Sequence, residues 1–223
     1  MSGKTTINID ELLQKFVSTD EQRSKFMKPW RERNQIFASE THILIRVSGY
    51  LTNTDYPQYN SDNSNKLFPK GIPDGILTAA TLENAISYAP LIDEIDSIGK
   101  YIECKECDGT GEVEWEYQHW TKGFDCPVCH GTGYSQMPRE KATGKKIIDP
   151  ESSIKIGQQC FQVGFLKLIL EAMGHCACTQ ATVTFGTPTS ATRFNLTDEI
   201  DIILMPTNQK NAYKTIHLTN TKP

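Results

Sequence analysis

Two Cys-x-x-Cys pairs are the part of this sequence whose residue types and spacing most clearly predict chemistry. Cys104 and Cys107 form the first pair, Cys126 and Cys129 form the second, and 18 residues separate the pairs. This separation falls in the roughly 15–20 residue range typical of a four-thiolate zinc site. The pattern predicts one structural zinc ion, because four thiolates leave no coordination position open for a substrate water.

Each cysteine pair is followed by a Gly-x-Gly sequence, made of Gly109 and Gly111 in the first case and of Gly131 and Gly133 in the second. Glycine adopts a positive φ without steric cost. We therefore expect tight turns whose backbone N–H groups point at the sulfurs and offset their negative charge. Two disulfides or four unrelated thiols are the alternatives, and the matched glycines disfavour both.

The repeat Cys-x-x-Cys-x-Gly-x-Gly, here called a knuckle, resembles the cysteine-rich region of the DnaJ chaperones. That region has four copies and two zincs, so two copies imply one zinc here. The segment is also similar to the late-gene antiterminators of lambda-like phages, whose second knuckle is followed by a Gly-Tyr-Ser-x-Met-Pro run like residues 133–138. Both resemblances cover about residues 102–138, and they identify a β-hairpin zinc ribbon rather than an activity.

Four aromatic residues lie between the knuckles: Trp115, Tyr117, Trp120 and Phe124. A hairpin of this size cannot bury all four rings, so they are expected to stack on unpaired bases or to form a hot spot for a protein partner. Three glutamates in the same segment repel phosphate and only one lysine attracts it, which favours a protein partner. Packing of the rings on the host domain is the remaining alternative.

Length and charge limit the class of protein. The 223 residues can hold one sizeable domain plus an appendage, and a net charge of −4 gives no global basic field for nucleic acid. The N-terminus lacks the apolar region of a signal peptide, and no apolar run approaches the roughly 20 residues that cross a bilayer. Cys160, Cys176 and Cys178 fit free thiols in a reducing compartment, so we expect a cytoplasmic protein in a bacterial or phage-infected cell.

Hydrophobic periodicity predicts the elements of the N-terminal half. An amphipathic helix is expected over 7–16, with Asn8 or Asp10 as its cap. Residues 35–38 and 42–47 read as two strands of a hairpin, and 78–89 as a helix. The polar residues 48–75 predict a long surface loop.

The C-terminal half shows a clearer pattern. A helix is predicted over 162–173, closed by Gly174 as the first residue beyond it. Three strands are expected at 181–185, 192–196 and 200–205, with a further edge strand at 212–218.

This C-terminal half resembles the closing half of a bacterial sliding-clamp domain, the DNA polymerase III beta subunit. The matching segments are 161–163, 165–173, 183–185, 188–190 and 202–206. Residues 37–47 are similar to the clamp phrase Ala-Thr-Asp-Gly-His-Arg-Leu, with Glu-Thr in place of Asp-Gly.

The clamp resemblance implies an α+β fold, a duplicated β-α-β-β-β unit whose helices face the lumen of a ring. In the family, the Met-Pro end of the last strand borders a pocket that receives short peptide tails of polymerases. Met205 and Pro206 match that end, and the residues that follow them are expected to be able to cover the pocket. The chain has room for one such domain, so a closed ring is not expected and the oligomeric state stays undetermined.

The two resemblances together predict three segments: the first half of a clamp-like domain over 1–101, the inserted zinc ribbon over 102–138, and the second half of the domain over 139–223. No catalytic motif is recognisable, and a closed metal site gives no chemistry. The sequence therefore predicts a non-enzymatic binding protein, phage or mobile-element encoded by resemblance, that engages replication, transcription or host-defence proteins. The alternatives are a nucleic-acid-binding regulator such as an antiterminator, and a DnaJ-like peptide binder.

Overall fold

The protein consists of two compact units, one inserted in the other. The structure is a computed structural model that describes residues 8–59, 63–208 and 211–220. The first unit comprises Met1–Pro90 and Ile148–Pro223, and the second comprises Leu91–Ile147. The Asp149 N–H donates a hydrogen bond to the Pro90 carbonyl at 2.8 Å. The two ends of the insertion thus adjoin, so the first unit can accommodate it without a break in its own fold.

The described residues form a mixed α+β structure that is mostly sheet, which confirms the predicted class. The α-helices are α1 (Ile9–Gln14), α2 (Ala79–Ser87) and α3 (Val163–His175), and short 3-10 helices cover Glu21–Phe26, Gly49–Leu51 and Ser64–Leu67. The strands are β1 (Trp30–Glu32), β2 (Gln35–Ser39), β3 (Ile43–Ser48), β4 (Gln58–Tyr59), β5 (Gly75–Thr78), β6 (Leu91–Ile98), β7 (Ile102–Glu103), β8 (Glu112–Tyr117), β9 (Trp120–Asp125), β10 (Tyr134–Gln136), β11 (Arg139–Ile148), β12 (Ser153–Ile156), β13 (Gln159–Gln162), β14 (Gln180–Thr184), β15 (Thr192–Thr197), β16 (Ile200–Leu204) and β17 (Lys214–Ile216). Within the described ranges, no helix is both long and apolar enough to cross a membrane.

The first unit is organised around an eight-stranded sheet in the order β4-β1-β2-β3-β16-β15-β14-β5. A second sheet has the order β13-β12-β17. The pairing of β3 with β16 joins the N-terminal and C-terminal segments of the chain at the centre of the large sheet, with Ile45 opposite Ile202. Residues far apart in the sequence therefore meet on this pair of strands.

The predicted duplication is present only in part. The order β13-α3-β14-β15-β16 is one complete β-α-β-β-β block. The first block contains α1 and β1 to β3, and a strand before α1 would fall among residues 1–7, outside the described residues. The prediction also omitted the role of β5 and α2: this pair leads into the second unit rather than into three further strands.

One predicted helix end is confirmed and another is wrong. Asn8 caps α1, because its side chain accepts a hydrogen bond from the Glu11 N–H at 3.2 Å. Gly174 lies inside α3 rather than beyond it. The residue in the left-handed conformation is Ala177, with φ of 49°, and the Cys178 N–H donates to the Met173 carbonyl at 2.9 Å. The helix thus ends in a Schellman turn that places a non-glycine residue at the strained position.

Replacement of Asp-Gly by Glu-Thr does not prevent a tight turn between β2 and β3. Thr41 adopts a φ of 96°, and its N–H donates to Ser39 Oγ at 2.9 Å. Glu40 Oε1 accepts a hydrogen bond from the His42 N–H at 2.7 Å. Side-chain acceptors therefore offset the backbone strain that a glycine would have avoided.

The large sheet has an apolar cluster on each face. Alternate residues of β3 and β16, among them Ile45 and Ile202, join the main core with the three α-helices. Leu44 and Ile203 point to the other face, where they form a smaller cluster of buried residues with Trp30, Phe37, Phe68 and Ala191. Both faces of the central strands are thus covered, which explains why β16 is buried along its whole length.

The segment 48–75, predicted as a plain surface loop, is held to the fold by two polar networks. Glu32 is buried and accepts hydrogen bonds from Trp30 Nε1 at 3.2 Å and from Ser64 Oγ at 2.7 Å. Asp10 accepts hydrogen bonds from Thr52 Oγ1 at 2.7 Å, from Thr54 Oγ1 at 2.9 Å and from the Tyr56 hydroxyl. The prediction missed these contacts because the donors and acceptors are distant in the sequence.

The Asp10 network makes the stability of the first unit depend on pH. Burial alone raises the pKa of Asp10, but the three hydroxyl donors lower it below its usual 3.8. The pKa of Asp10 is lower in the folded state than in the unfolded chain. The carboxylate therefore contributes its full share to the free energy of unfolding above pH 3.8, and this share is lost as the pH falls through the lower folded-state pKa. We expect Asp10→Asn to cost about 1 kcal/mol near neutral pH and nothing in strong acid. Urea unfolding across pH measures this difference.

The exposed Asp55 in the same segment provides the matched control, since Asp55→Asn removes a charge without removing a described hydrogen bond. A cost of Asp10→Asn that stays constant between neutral pH and strong acid would contradict the assignment.

The second unit contains three two-stranded sheets, with pairings β6 with β11, β7 with β10, and β8 with β9. The predicted ribbon, 102–138, lies within it. Residues 139–148, which were expected to begin the second half of the clamp-like domain, form strand β11 along β6. Lys146 Nζ and an Asp93 carboxylate oxygen lie 2.7 Å apart across this pair of strands. The polar composition of these residues gave no signal for a strand, because an exposed two-stranded ribbon needs no apolar face.

Candidate functional sites: a metal centre and an apolar groove

The four predicted ligands, Cys104, Cys107, Cys126 and Cys129, are buried and have all their Sγ atoms within 4.8 Å of one another. The Sγ atoms of the first and third lie 3.8 Å apart, and those of the second and fourth 3.7 Å apart. A tetrahedral zinc site with Zn–S bonds of about 2.3 Å has sulfur–sulfur edges of about 3.8 Å. All four are free thiols. The donor set and its spacing fit a tetrathiolate metal ion.

The two knuckles have the same local geometry. Gly109, Gly111, Gly131 and Gly133 all have a positive φ between 77° and 83°. The Gly111 N–H donates to Cys107 Sγ at 3.3 Å, and the Gly133 N–H donates to Cys129 Sγ at 3.3 Å. The knuckles also bond to each other, since the N–H of the first cysteine in each donates to the carbonyl of the last glycine in the other, at 2.8 Å and 2.7 Å.

These contacts affect the thiol pKa values in opposite directions. Burial raises the pKa of the Cys104 thiol to about 11. Burial alone would also raise the pKa of Cys129, but the Gly133 N–H and the neighbouring thiols lower it to about 7. A group of thiols in which one ionises near neutral pH is suited to a cation, because a metal ion stabilises the remaining thiolates.

The interlocked glycines predict a specific effect on metal affinity. A Cβ on Gly111 would lie 2.5 Å from the Gly131 carbonyl oxygen of the opposite knuckle. We expect Gly111→Ala to push the knuckles apart and to weaken zinc binding by about 10-fold or more. Competition with a chromophoric chelator measures the affinity.

Gly144 supplies the control for backbone strain. Its φ is 81°, close to that of Gly111 at 83°, but a Cβ there would meet nothing within 4 Å. Gly144→Ala is expected to leave zinc affinity unchanged. Equal losses in the two variants would show that strain, rather than contact between the knuckles, determines the affinity.

The hairpin of β8 and β9 separates its aromatic and acidic side chains. The register pairs Trp115 with Lys122, Tyr117 with Trp120, and Val113 with Phe124, so these six residues share one face. All four aromatic rings are exposed, Trp120 at 80%. The three glutamates of β8 alternate with them and occupy the opposite face. The glutamates therefore do not line the aromatic surface. The expectation that they repel phosphate there assumed that they lie beside the rings, and this assumption is wrong.

The second unit nevertheless carries an acidic balance. Residues 91–147 contain seven Lys and Arg against eleven Asp and Glu. This difference accounts for the whole formal charge of −4, since the rest of the chain is balanced. Four thiolates on a divalent ion would make the unit more negative still.

An apolar groove of about 760 Å³ opens on the face of the large sheet that bears the smaller cluster. Its main apolar walls are Phe26, Trp30, Leu44, Leu67, Ile203 and Met205. The groove lies at the β3–β16 junction, where the Met205 N–H donates to the His42 carbonyl at 2.8 Å. Pro206 is partly buried and does not belong to the described lining.

The residues after Pro206 take a different course from the one expected. Lys214–Ile216 form β17, which pairs in parallel with β12, and Thr219 bridges to Ile76 of β5. Met205 is the last residue along the described chain to line the groove. The described part of the tail thus binds to other strands and leaves the groove open.

The structure brings the four cysteines and the four glycines together at one site, and it places Met205 at another. Sequence reasoning missed most of the groove, including Phe26, Trp30 and Leu67. The spacing of Phe26 and Trp30, which leads into the first strand, was the available signal, but apolar residues at such spacing more often indicate an ordinary core.

No protein-family model and no curated protein matches the sequence. Among solved structures, the fold is similar to the DNA polymerase III beta subunit of Thermotoga maritima, with a TM-score of 0.45, 11% identity, and coverage of 92% of this chain and 64% of that one. For the Caulobacter crescentus pol III beta, the TM-score is 0.45 and the identity 13%, with coverage of 94% of this chain and 68% of that one. For the Helicobacter pylori beta clamp bound to a DNA ligase peptide, the TM-score is 0.45 and the identity 10%, with coverage of 91% and 63%. This chain therefore spans less than two thirds of the length of the Thermotoga maritima subunit.

Proposed function

We propose that this chain is a non-enzymatic binding protein whose first unit captures a short apolar segment of a protein partner in the groove. The observation that carries the proposal is the open apolar groove beside the His42–Met205 contact. In the sliding-clamp family, which residues 202–206 resemble, the Met-Pro end of the last strand borders a pocket for peptide tails. We therefore infer a partner that is a replication protein, or a protein of transcription or host defence.

The size of the groove suits a short segment of a peptide. A volume of 760 Å³ accommodates a few large apolar side chains. Burial of each such side chain contributes about 1.5–3 kcal/mol, whereas association itself costs about 4 kcal/mol or more, so two anchors alone give at most a weak, reversible complex. Such affinity suits a partner that must be exchanged.

In this proposal the second unit is a zinc ribbon with one structural Zn²⁺, and its aromatic face provides a second contact. Exposed Trp and Tyr side chains are the residues that most often dominate protein interfaces. The acidic balance of residues 91–147 disfavours a polyanion and favours a protein. Assignment to a phage or mobile element rests on the resemblance of the knuckles alone.

Selection from a displayed library of random short peptides tests the groove. The wild-type protein is expected to enrich peptides with two nearby large apolar residues. A variant with Leu67→Ser and Met205→Ser, which changes groove residues that are 58% and 40% exposed, is expected to lose that enrichment while it keeps its thermal stability. Equal enrichment by the two proteins would refute the proposal.

A nucleic-acid-binding function is the second candidate, favoured by the position of Lys122 on the same face as the four rings. Stacking of unpaired bases on these rings would be assisted by the cation. It predicts binding of single-stranded DNA or RNA that weakens steeply with salt and is lost in Trp115→Ala/Trp120→Ala. Absence of binding at low salt would exclude it.

A further inference from the structure

A second cavity, of about 630 Å³, lies on the same face of the large sheet and is lined by polar and charged residues. Its cations are Arg33, Arg46, Lys66 and Lys70, and three amide side chains complete the described lining. No Asp or Glu occurs among these described lining residues. We call it the cationic pocket.

Arg46, which lines the cationic pocket, contacts three neighbouring side chains. Arg46 donates to Asn65 Oδ1 at 2.8 Å and also bonds to Asp201. Its guanidinium lies 4.1 Å from the centroid of the Phe68 ring. Asp201 is shared with Arg193, whose Nε lies 2.6 Å from Oδ1. One carboxylate thus faces two guanidiniums, so the cluster keeps a net positive charge.

The pocket adjoins the apolar groove, because Lys66 lines both cavities. The short helix Ser64–Leu67 forms this boundary: Leu67 contributes to the groove and Asn65 to the pocket. A single extended segment bound in the groove would therefore have its next residues beside the cations.

We propose that the two cavities form one bipartite site for an acidic peptide, in which apolar side chains occupy the groove and an Asp or Glu, one to a few residues away, occupies the cationic pocket. This inference rests on the proposed function and specifies the partner of the same site. Charge complementarity carries it: the cations lie at one end of an apolar groove, and the first unit as a whole has balanced charge.

A nucleic acid fits the pair of cavities less well. A phosphate backbone presents a charge at every nucleotide, whereas here the cations are confined to one end and apolar side chains line the rest. A peptide with separate apolar and acidic residues matches both parts.

The test uses a displayed library of random short peptides on the full-length protein and on Lys66→Gln/Lys70→Gln. Both lysines are exposed, so the variant is expected to fold. Lys155→Gln/Lys167→Gln changes the net charge equally at positions outside the two cavities and serves as the control. Wild-type and control proteins are expected to enrich apolar pairs with a nearby Asp or Glu. The pocket variant is expected to enrich the apolar pairs alone.

The most enriched peptide then gives the magnitude. Replacement of its acidic residue by the amide is expected to weaken binding to the wild-type protein about fivefold, and to leave binding to the pocket variant unchanged. Enrichment of apolar pairs without acidic residues would overturn the bipartite site but not the groove. Absence of any apolar enrichment would overturn both, and preferential binding of single-stranded DNA at this face would replace the peptide by a nucleic acid.

Discussion

Removal of the proposed zinc ion is expected to unfold the second unit and to leave the first intact. Among the described residues, the hydrophobic cluster of the second unit consists of the four cysteines with Val113 packed against them. The first unit has an apolar core of its own on both faces of the large sheet. Zinc binding in small peptides contributes about 10–16 kcal/mol of apparent free energy, which this unit has no other core to supply.

Hydrogen exchange followed by mass spectrometry measures the effect. After chelation we expect protection to disappear in β7 to β10 and to persist in β14 to β16. Cys104→Ser should reproduce the loss, whereas Cys160→Ser, outside the cluster, should not. Elemental analysis should find one zinc per chain. Loss of protection throughout the chain on chelation would contradict the independence of the two units. Absence of metal in the elemental analysis would contradict the assignment of a zinc ribbon.

Asp201→Ala is expected to cost about 3 kcal/mol of stability in the first unit. The side chain of Asp201 is only 6% exposed, and it accepts hydrogen bonds from Arg46, Arg193 and Asn195. Truncation would leave two partly buried guanidiniums facing each other without a counter-charge. Because Asp201 lies two residues before Ile203, which lines the groove, the groove should lose its peptide as well. Denaturant unfolding gives the free-energy change.

Asp198→Ala is the matched control, because it removes an exposed carboxylate from the adjacent turn. It is expected to change the free energy of unfolding by less than about 0.5 kcal/mol. If Asp201→Ala also stays below that value, the carboxylate does not hold the sheet together in the way described.

Local patterns predicted the elements and the cysteine cluster. A Cys-x-x-Cys turn determines its own geometry, and the apolar periodicity around Leu168 required only the residues of α3 itself. The β2–β3 hairpin was likewise determined by adjacent residues. These features depend on short-range chemistry, so one sequence suffices to identify them.

Long-range contacts were beyond the reach of such patterns. Trp30, Leu44 and Ile203 meet in the smaller cluster because β3 pairs with β16, a pairing that no local periodicity specifies. The cationic pocket combines the β1–β2 turn with residues more than 30 positions later. The opposite faces of the rings and glutamates in β8 and β9, in contrast, follow from strand alternation and were predictable from the sequence.

The claim that a partner binds in the groove is tested most directly by the methionine methyl signals of the protein labelled with ¹³C-methyl methionine. In the described part of the chain, Met205 lines the groove, whereas Met27, Met137 and Met173 do not. Addition of the most enriched peptide is expected to shift the Met205 signal and to leave the signal of Met173, which is buried in the main core, unchanged. A Met205 signal that stays in place while the peptide binds would contradict the account.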